Sequence, residues 1–188
     1  LYKNEKNLYI IAGANGSGKT TFASQFAIQE NINFINADEI AKSFMSDKIQ
    51  NVKIKAGRQF FKELKILLKQ EKPFIVETTL SGKYMINVIK EAKIKGFIIK
   101  LIYLFLETTD ENIFRVKNRA LQGGHNVPVE DILRRFHRSR DLFWHLYKNI
   151  VNEWVLIYNG DNSFEIAADN KDIYDDELLK KFIGTING

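Results

Sequence analysis

The octapeptide Gly13-Ala14-Asn15-Gly16-Ser17-Gly18-Lys19-Thr20 limits what this chain can fold into more than any other segment. It matches G-x-x-x-x-G-K-[ST] at every required position. It sits between an apolar run, Leu8-Tyr9-Ile10-Ile11-Ala12, and a helical pattern reaching about Glu30. The glycines let the backbone bend until its N–H groups face phosphate oxygens, and a helix starting at Gly18 adds the positive end of its dipole. Residues 13–20 and the adjoining Thr21 are thereby assigned to phosphate contact. Lys19 is expected to reach the β- and γ-phosphates, and the Thr20 hydroxyl to ligate Mg²⁺. A glycine-rich turn matching by chance is the alternative, and the placement between strand and helix argues against it. A nucleoside triphosphate is the expected ligand.

The rest of the chain alternates in the same way. Asn33–Asn36 reads as a short strand running into Asp38 and a helix to about Met45. An amphipathic helix covers about Val52 to Glu71, with Ala56, Phe60, Leu64, Leu67 and Leu68 on one face and Pro73 ending it. Phe74–Glu77 is a third strand, followed by a helix from about Lys83 to Lys95 with Gly96 as its C-cap. Phe97–Leu106 is apolar nearly throughout, as a strand buried on both faces should be. Asp110 is read as the cap of a helix to about Gln122, and Gly123–Pro128 as a compact loop before a helix from Val129 to about Lys148. Trp154–Tyr158 and Phe164–Ala168 form two last strands joined by a Gly160-Asp161-Asn162 turn, and Ile173–Ile183 a final helix. This alternation predicts an α/β fold with a mostly parallel sheet of five to six strands and helices on both faces.

At 188 residues, 45% apolar and 27% charged, the chain is expected to form one domain over 1–188. It has no cysteine, which excludes disulfides, thiolate metal sites and cysteine nucleophiles, and suits a reducing compartment. No run approaches the roughly 18 apolar residues of a membrane span. Leu1–Asn7 lacks the apolar core of a signal peptide, so a soluble, cytoplasmic protein is expected. The net charge of +5 is unevenly built: 21 of the 28 basic residues are scattered lysines, and six of the seven arginines lie between Arg115 and Arg140.

Three constellations bear on what is done with the nucleotide. Asp38 follows the second strand, where a carboxylate can take the proton of an attacking hydroxyl; a helix N-cap is the competing role. Glu77 ends the third strand, where an acid can hold Mg²⁺ through water or bind a substrate hydroxyl, or simply cap the sheet edge. Thr78, Thr79 and Ser81 behind it are either a helix-starting turn or a substrate-lining loop. Arg115 and Arg119 share a helix face, and Arg134, Arg135 and Arg138 follow the glycine loop, at or beyond the border of an Ile132, Phe136, Phe143, Leu146 stripe. Arginines flanking such a loop suit a lid over triphosphate, over about residues 115–140; a solvated basic face is the alternative. His125, on that loop, contacts substrate or packs the turn. No histidine pattern supports a protein-held zinc.

Together with the P-loop, the segments Asn36-Ala37-Asp38-Glu39, Glu77-Thr78-Thr79-Leu80-Ser81-Gly82, Gly123-Gly124-His125-Asn126-Val127-Pro128 and Arg134-Arg135-Phe136 resemble the zeta-toxin-type P-loop kinases. The likeness runs from about Leu8 to Ala168. The Glu-Thr-Thr-Leu-Ser-Gly segment resembles a compact branch labelled as predicted ATPases. The resemblance implies a P-loop NTPase/kinase fold and transfer of the ATP γ-phosphate to a small-molecule hydroxyl, the 3′-hydroxyl of UDP-N-acetylglucosamine in zeta toxins. It implies Asp38 as general base and Lys19 and Thr20 as phosphate and Mg²⁺ groups. Glu77 becomes a substrate-side acid, and Arg119 and Arg135 stabilisers of the transferred charge. It also implies an antitoxin protein as a partner.

Other classes fit less well. A GTPase should carry an N-K-x-D guanine signature, which is absent. An AAA-type motor would be longer and end its Walker-B strand with two acids. An ATPase or binding module without an acceptor stays open. A polynucleotide kinase is permitted by the arginines but lacks an aromatic-interleaved basic strand or helix, so nucleic acid is not the expected partner.

Overall fold

Strand β1 (Asn7–Ala12) is apolar because it has strands on both sides and helices above and below. It pairs in parallel with β3 (Phe74–Thr78) and β4 (Ile98–Phe105), so that Ile10 lies between Val76 and Leu101. In the computed structural model, which describes residues 5–37, 40, 49–124, 127–160 and 163–186, the six strands run in the order β2-β3-β1-β4-β5-β6. β2 (Asn33–Asn36) and β5 (Glu153–Tyr158) extend the parallel sheet, and β6 (Glu165–Asp169) returns antiparallel to β5. The chain passes from β1 out to β2, returns to β3 and then crosses to β4. The order therefore reverses at β1, and a crevice opens beyond the carboxyl ends of the central strands.

Six α-helices are described. On one face α1 (Lys19–Glu30) seats Ala23, with Phe22 and Phe26, against Ile11, Ile75 and Leu104. The other face is covered by α2 (Ile49–Gln70), α3 (Met85–Ile94), α5 (Val129–His145) and α6 (Asp176–Ile183). Phe60, Leu64 and Leu68 of α2, Ile89 of α3, Phe143 of α5 and Phe182 of α6 all enter this larger core. Each fully buried side chain of this size contributes about 1.5–3 kcal/mol. At its rim, Trp144 and Trp154 lie 6.4 Å apart, with the Lys148 ammonium 3.6 Å above the Trp144 ring.

The α/β reading holds, including the lone antiparallel strand, and several helix limits shift. α3 ends in a Schellman motif: Gly96 adopts φ +80°, its N–H bonds the Lys93 carbonyl, and the Phe97 N–H bonds the Ala92 carbonyl. α4 (Thr109–Leu121) is capped by Thr108, not Asp110. Thr108 and Glu111 form a reciprocal capping box, which leaves Asp110 in the first turn, where its charge favours the helix dipole. α5 stops at His145 and gives way to a short 3₁₀ turn, Tyr147–Asn149. α6 begins at Asp176 under an Asp175 cap, because Ile173 is held in a bridge to Ala168. The helix expected to reach Met45 lies outside the described residues.

Candidate active site

The cradle's glycines stand where side chains cannot. Gly13 has φ +142°, and a Cβ there would fall 2.1 Å from the Leu104 carbonyl oxygen; at Gly16, φ +85°, it would fall 2.6 Å from that of Asn112. Lys19 is buried, and its Nζ donates to the Ala14 carbonyl at 2.7 Å, across the mouth of the loop. Two asparagines brace the loop from outside. Asn159, just beyond β5, donates its Nδ2 to Ser17 O at 2.9 Å and its backbone N–H to Phe105 O. Asn112 of α4 donates to Asn15 O at 2.6 Å. Sequence reasoning missed both. Asn159 stands between the end of β5 and the expected Gly160-Asp161-Asn162 turn, and Asn112 is one polar residue inside a helix.

Glu77 lies at the end of β3, which is flanked by β2 and β1, so it does not cap a sheet edge. Its two oxygens accept from Thr20 Oγ1 at 3.0 Å and from Asn36 Nδ2 at 2.6 Å, Asn36 being its register partner on β2. A carboxylate and a hydroxyl converging beside a phosphate cradle form an oxygen-only pair of the kind Mg²⁺ takes, with phosphates and water completing the shell. Among the described residues no group of three or more His, Asp or Glu could hold a metal. The residues present thus fit a hard cation shared with a bound nucleotide. Asp38, the expected base, lies outside the described residues, as does His125.

Arginines from α4 and α5 form part of the wall. α4 ends in another Schellman motif, with Gly123 at φ +86° and the Gly124 N–H bonded to the Arg119 carbonyl, which fixes Arg119 against the turn. Arg115, Arg119, Arg134 and Arg135 line a cleft of about 810 Å³ together with Lys19, Thr20, Thr21 and Glu77. Arg135 Nη1 donates to Asn15 Oδ1 at 3.2 Å, and Arg134 pairs with Asp131 at 2.6 Å. Thr78, Thr79, Ser81 and Tyr84 line the same cleft beyond Glu77.

Two of the six clustered arginines do not belong to this wall. Arg138 is exposed and off the cleft. Arg140 is 1% exposed, its guanidinium 3.9 Å from the Phe136 ring centre and 5.0 Å from that of Phe182, donating to Leu106 O and to Thr185 Oγ1. Burial lowers its pKa to about 10, against opposing pulls from Tyr103 and Glu111. Arg140 stands on the apolar stripe itself, four residues after Phe136 and three before Phe143, and this spacing is the signal that it faces inward.

With this geometry established, the class follows. The order of the strands, the P-loop after β1 and the helices on both faces define a P-loop NTPase of the kinase-like kind. Residues 8–142 match the AAA domain family (AAA_33), and the chain belongs to that family. Over 136 residues it is 34% identical to an uncharacterised protein of Haemophilus influenzae, across 71% of this chain and 94% of that one. Among solved structures it is similar to AvrRxo1-ORF1 in complex with ORF2 and ATP, with a TM-score of 0.76 and 17% identity, over 98% of this chain. The chain spans 65% of that structure's length. It is also similar to a structure from the PezAT chromosomal toxin-antitoxin system of Streptococcus pneumoniae, with a TM-score of 0.68 and 18% identity, over 96% of this chain and 79% of that one. Identities this low speak to the fold alone. The AAA name is that of the family; this chain is shorter than an AAA-type motor would be, and β3 carries one acid near its end, Glu77, followed by Thr78. Among the described residues no helix is long and apolar enough to cross a membrane.

Proposed function

We propose that the chain is an ATP-dependent phosphotransferase that moves the γ-phosphate to a hydroxyl of a small molecule, with a zeta-toxin-like UDP-sugar kinase as the specific form. The observation that carries this is the set of residues brought together in one cleft. Lys19, Thr20 and Glu77 line it together with four arginines from α4 and α5 and with Thr78, Thr79 and Ser81. A hydrolase needs room for water alone, whereas the hydroxyl-lined extension suits a polyol acceptor.

In this reading residues 13–21 hold the triphosphate through backbone N–H groups and Lys19. Thr20 and Glu77 would hold Mg²⁺, which supplies charge neutralisation between the phosphates. Arg119 and Arg135 meet the negative charge on the transferred group, in a site where fixed donors act without reorganising. Asp38 takes the acceptor's proton, and Glu77, Thr78, Thr79 and His125 orient the acceptor. The whole of 1–188 acts as one domain whose segment 115–140 is the lid. The ATP-bound structural neighbour supports the donor, and the toxin-antitoxin neighbour supports an antitoxin partner.

The test incubates the protein with γ-labelled ATP, Mg²⁺ and a panel of UDP-sugars, nucleosides and oligonucleotides. Label is expected on a UDP-sugar, UDP-N-acetylglucosamine first. Label found only as free phosphate would replace the kinase reading with an ATPase one, and label on an oligonucleotide would replace it with a polynucleotide kinase. Asp38→Asn should bind ATP as wild type does and form no product; undiminished turnover removes Asp38 from the base role.

A further inference from the structure

The loop from Thr78 to Gly82 is held in a conformation its own residues do not favour. Leu80 has φ +55°, the left-handed region that a branched side chain avoids, and is fully buried. Its N–H donates to Thr78 Oγ1 at 3.0 Å, and that hydroxyl is also 2.6 Å from Tyr84 OH. Strain of this kind persists only where surrounding groups over-determine it. Here two of those groups come from far along the chain. Ser139 of α5 donates its Oγ proton to the Thr79 carbonyl at 2.5 Å, and Tyr147 OH donates to the Gly82 carbonyl at 2.6 Å.

Ser139 is itself anchored. Tyr103 OH lies 2.7 Å from Ser139 Oγ, and both residues are fully buried. Serine has one hydroxyl proton, and a carbonyl can only accept, so the second bond is donated by Tyr103. The relay therefore runs Tyr103 O–H to Ser139 O–H to the Thr79 carbonyl. Burial pushes Tyr103 up to about 12, which keeps its proton in place at neutral pH. Neither Ser139 nor Tyr103 lines the cleft, whereas Thr78, Thr79 and Ser81 do. One helical turn before Ser139, on the same face of α5, Arg135 contacts Asn15 of the phosphate cradle.

We infer that Ser139, backed by Tyr103, is a positioning residue for the acceptor, and that one face of α5 spaces the acceptor-side loop from the phosphate cradle. The acceptor part of this inference rests on the phosphotransferase reading; the positioning of the loop does not.

The test measures two things on Ser139→Ala and Tyr103→Phe: steady-state kinetics with ATP and UDP-N-acetylglucosamine, and amide hydrogen exchange across the chain. Leaving the Thr79 carbonyl without the Ser139 donor should raise the acceptor KM about tenfold while the ATP KM stays within about twofold. Exchange at residues 80–82 should accelerate by a similar factor, with residues 16–21 unchanged. Tyr103→Phe should show the same pattern more weakly, and it carries the test if Ser139→Ala does not fold. An unchanged loop exchange rate, or equal rises in both KM values, would overturn the inference. If wild type transfers phosphate to no acceptor, the kinase reading falls and exchange alone decides: acceleration confined to the loop upholds the positioning role, and uniform or absent acceleration removes it.

Discussion

The phosphate cradle and the loop after β3 leave neighbouring strands, line one cleft and are fixed by opposite means. Residues 13–18 hold their shape because atoms are missing, with positive φ at Gly13, Gly16 and Gly18, and with backbone carbonyls at the first two and the Asn159 amide at the third where side chains would stand. Residues 78–82 hold theirs because groups are present, with Leu80 kept at positive φ by hydroxyls from α5, Tyr84 and Tyr147. The first arrangement should fail abruptly when an atom is added. The second should loosen by degrees as its donors are removed.

The sharpest way to break this contrast is Gly13→Ala. The new methyl would meet the Leu104 backbone carbonyl, which cannot rotate aside as a side chain can, and ATP affinity should fall about 100-fold or more by titration calorimetry. Affinity within threefold of wild type would show that the cradle yields. Next in size is Arg140→Ala, which empties a space among aromatic rings and strands the Leu106 carbonyl. It should lower unfolding stability in urea by about 3 kcal/mol, while Arg140→Met costs about 1 and neither changes ATP affinity more than twofold. Weakened nucleotide binding at full stability would give Arg140 a part in the nucleotide site.

Alkaline pH should separate the two regions again. Burial raises Tyr103 and Tyr147 to about 12, and an unfolded tyrosine titrates near about 10, so their contribution is whole below pH 10 and lost between pH 10 and 12. Arg140, lowered by burial to about 10, acts in the other direction over the same window, because its unfolded form holds the proton longer. Tyr9, also raised by burial, adds to the tyrosine side, and the urea midpoint should drop between pH 10 and 12, less steeply in Tyr147→Phe. A midpoint that rises there would reverse the sign. Smaller still, Asn159→Ala removes one brace and should cost about 1 kcal/mol and about tenfold in ATP affinity. Arg138→Ala, exposed and off the cleft, should stay within about 0.5 kcal/mol and leave both substrates' KM unchanged.

What could be read from the chain follows from the same contrast. The strand–glycine loop–helix unit is local, with its positive-φ glycines, lysine and threonine set within eight consecutive positions, so it shows in one dimension although its packing partners lie far along the chain. The sheet was legible because β1 and β4 are apolar along most of their length. Asn112, Asn159 and Ser139 carry no such mark. Each is an ordinary polar residue whose partner lies 97, 142 or 60 positions away. Arg140 was legible and misread, since charge type was weighed above its place on the Phe136–Phe143 stripe. Asp110 lost the cap to Thr108 because a hydroxyl two residues earlier could form the reciprocal box with Glu111.

Both tryptophans of the chain, Trp144 and Trp154, meet at the rim of the larger core, and neither lines the cleft. Intrinsic fluorescence is therefore a report from one corner of the molecule. It will follow the loss of the packing between α5 and β5 on denaturation, with Lys148 close enough to tune the emission of Trp144. Nucleotide titrations are better followed with a fluorophore carried by the ligand.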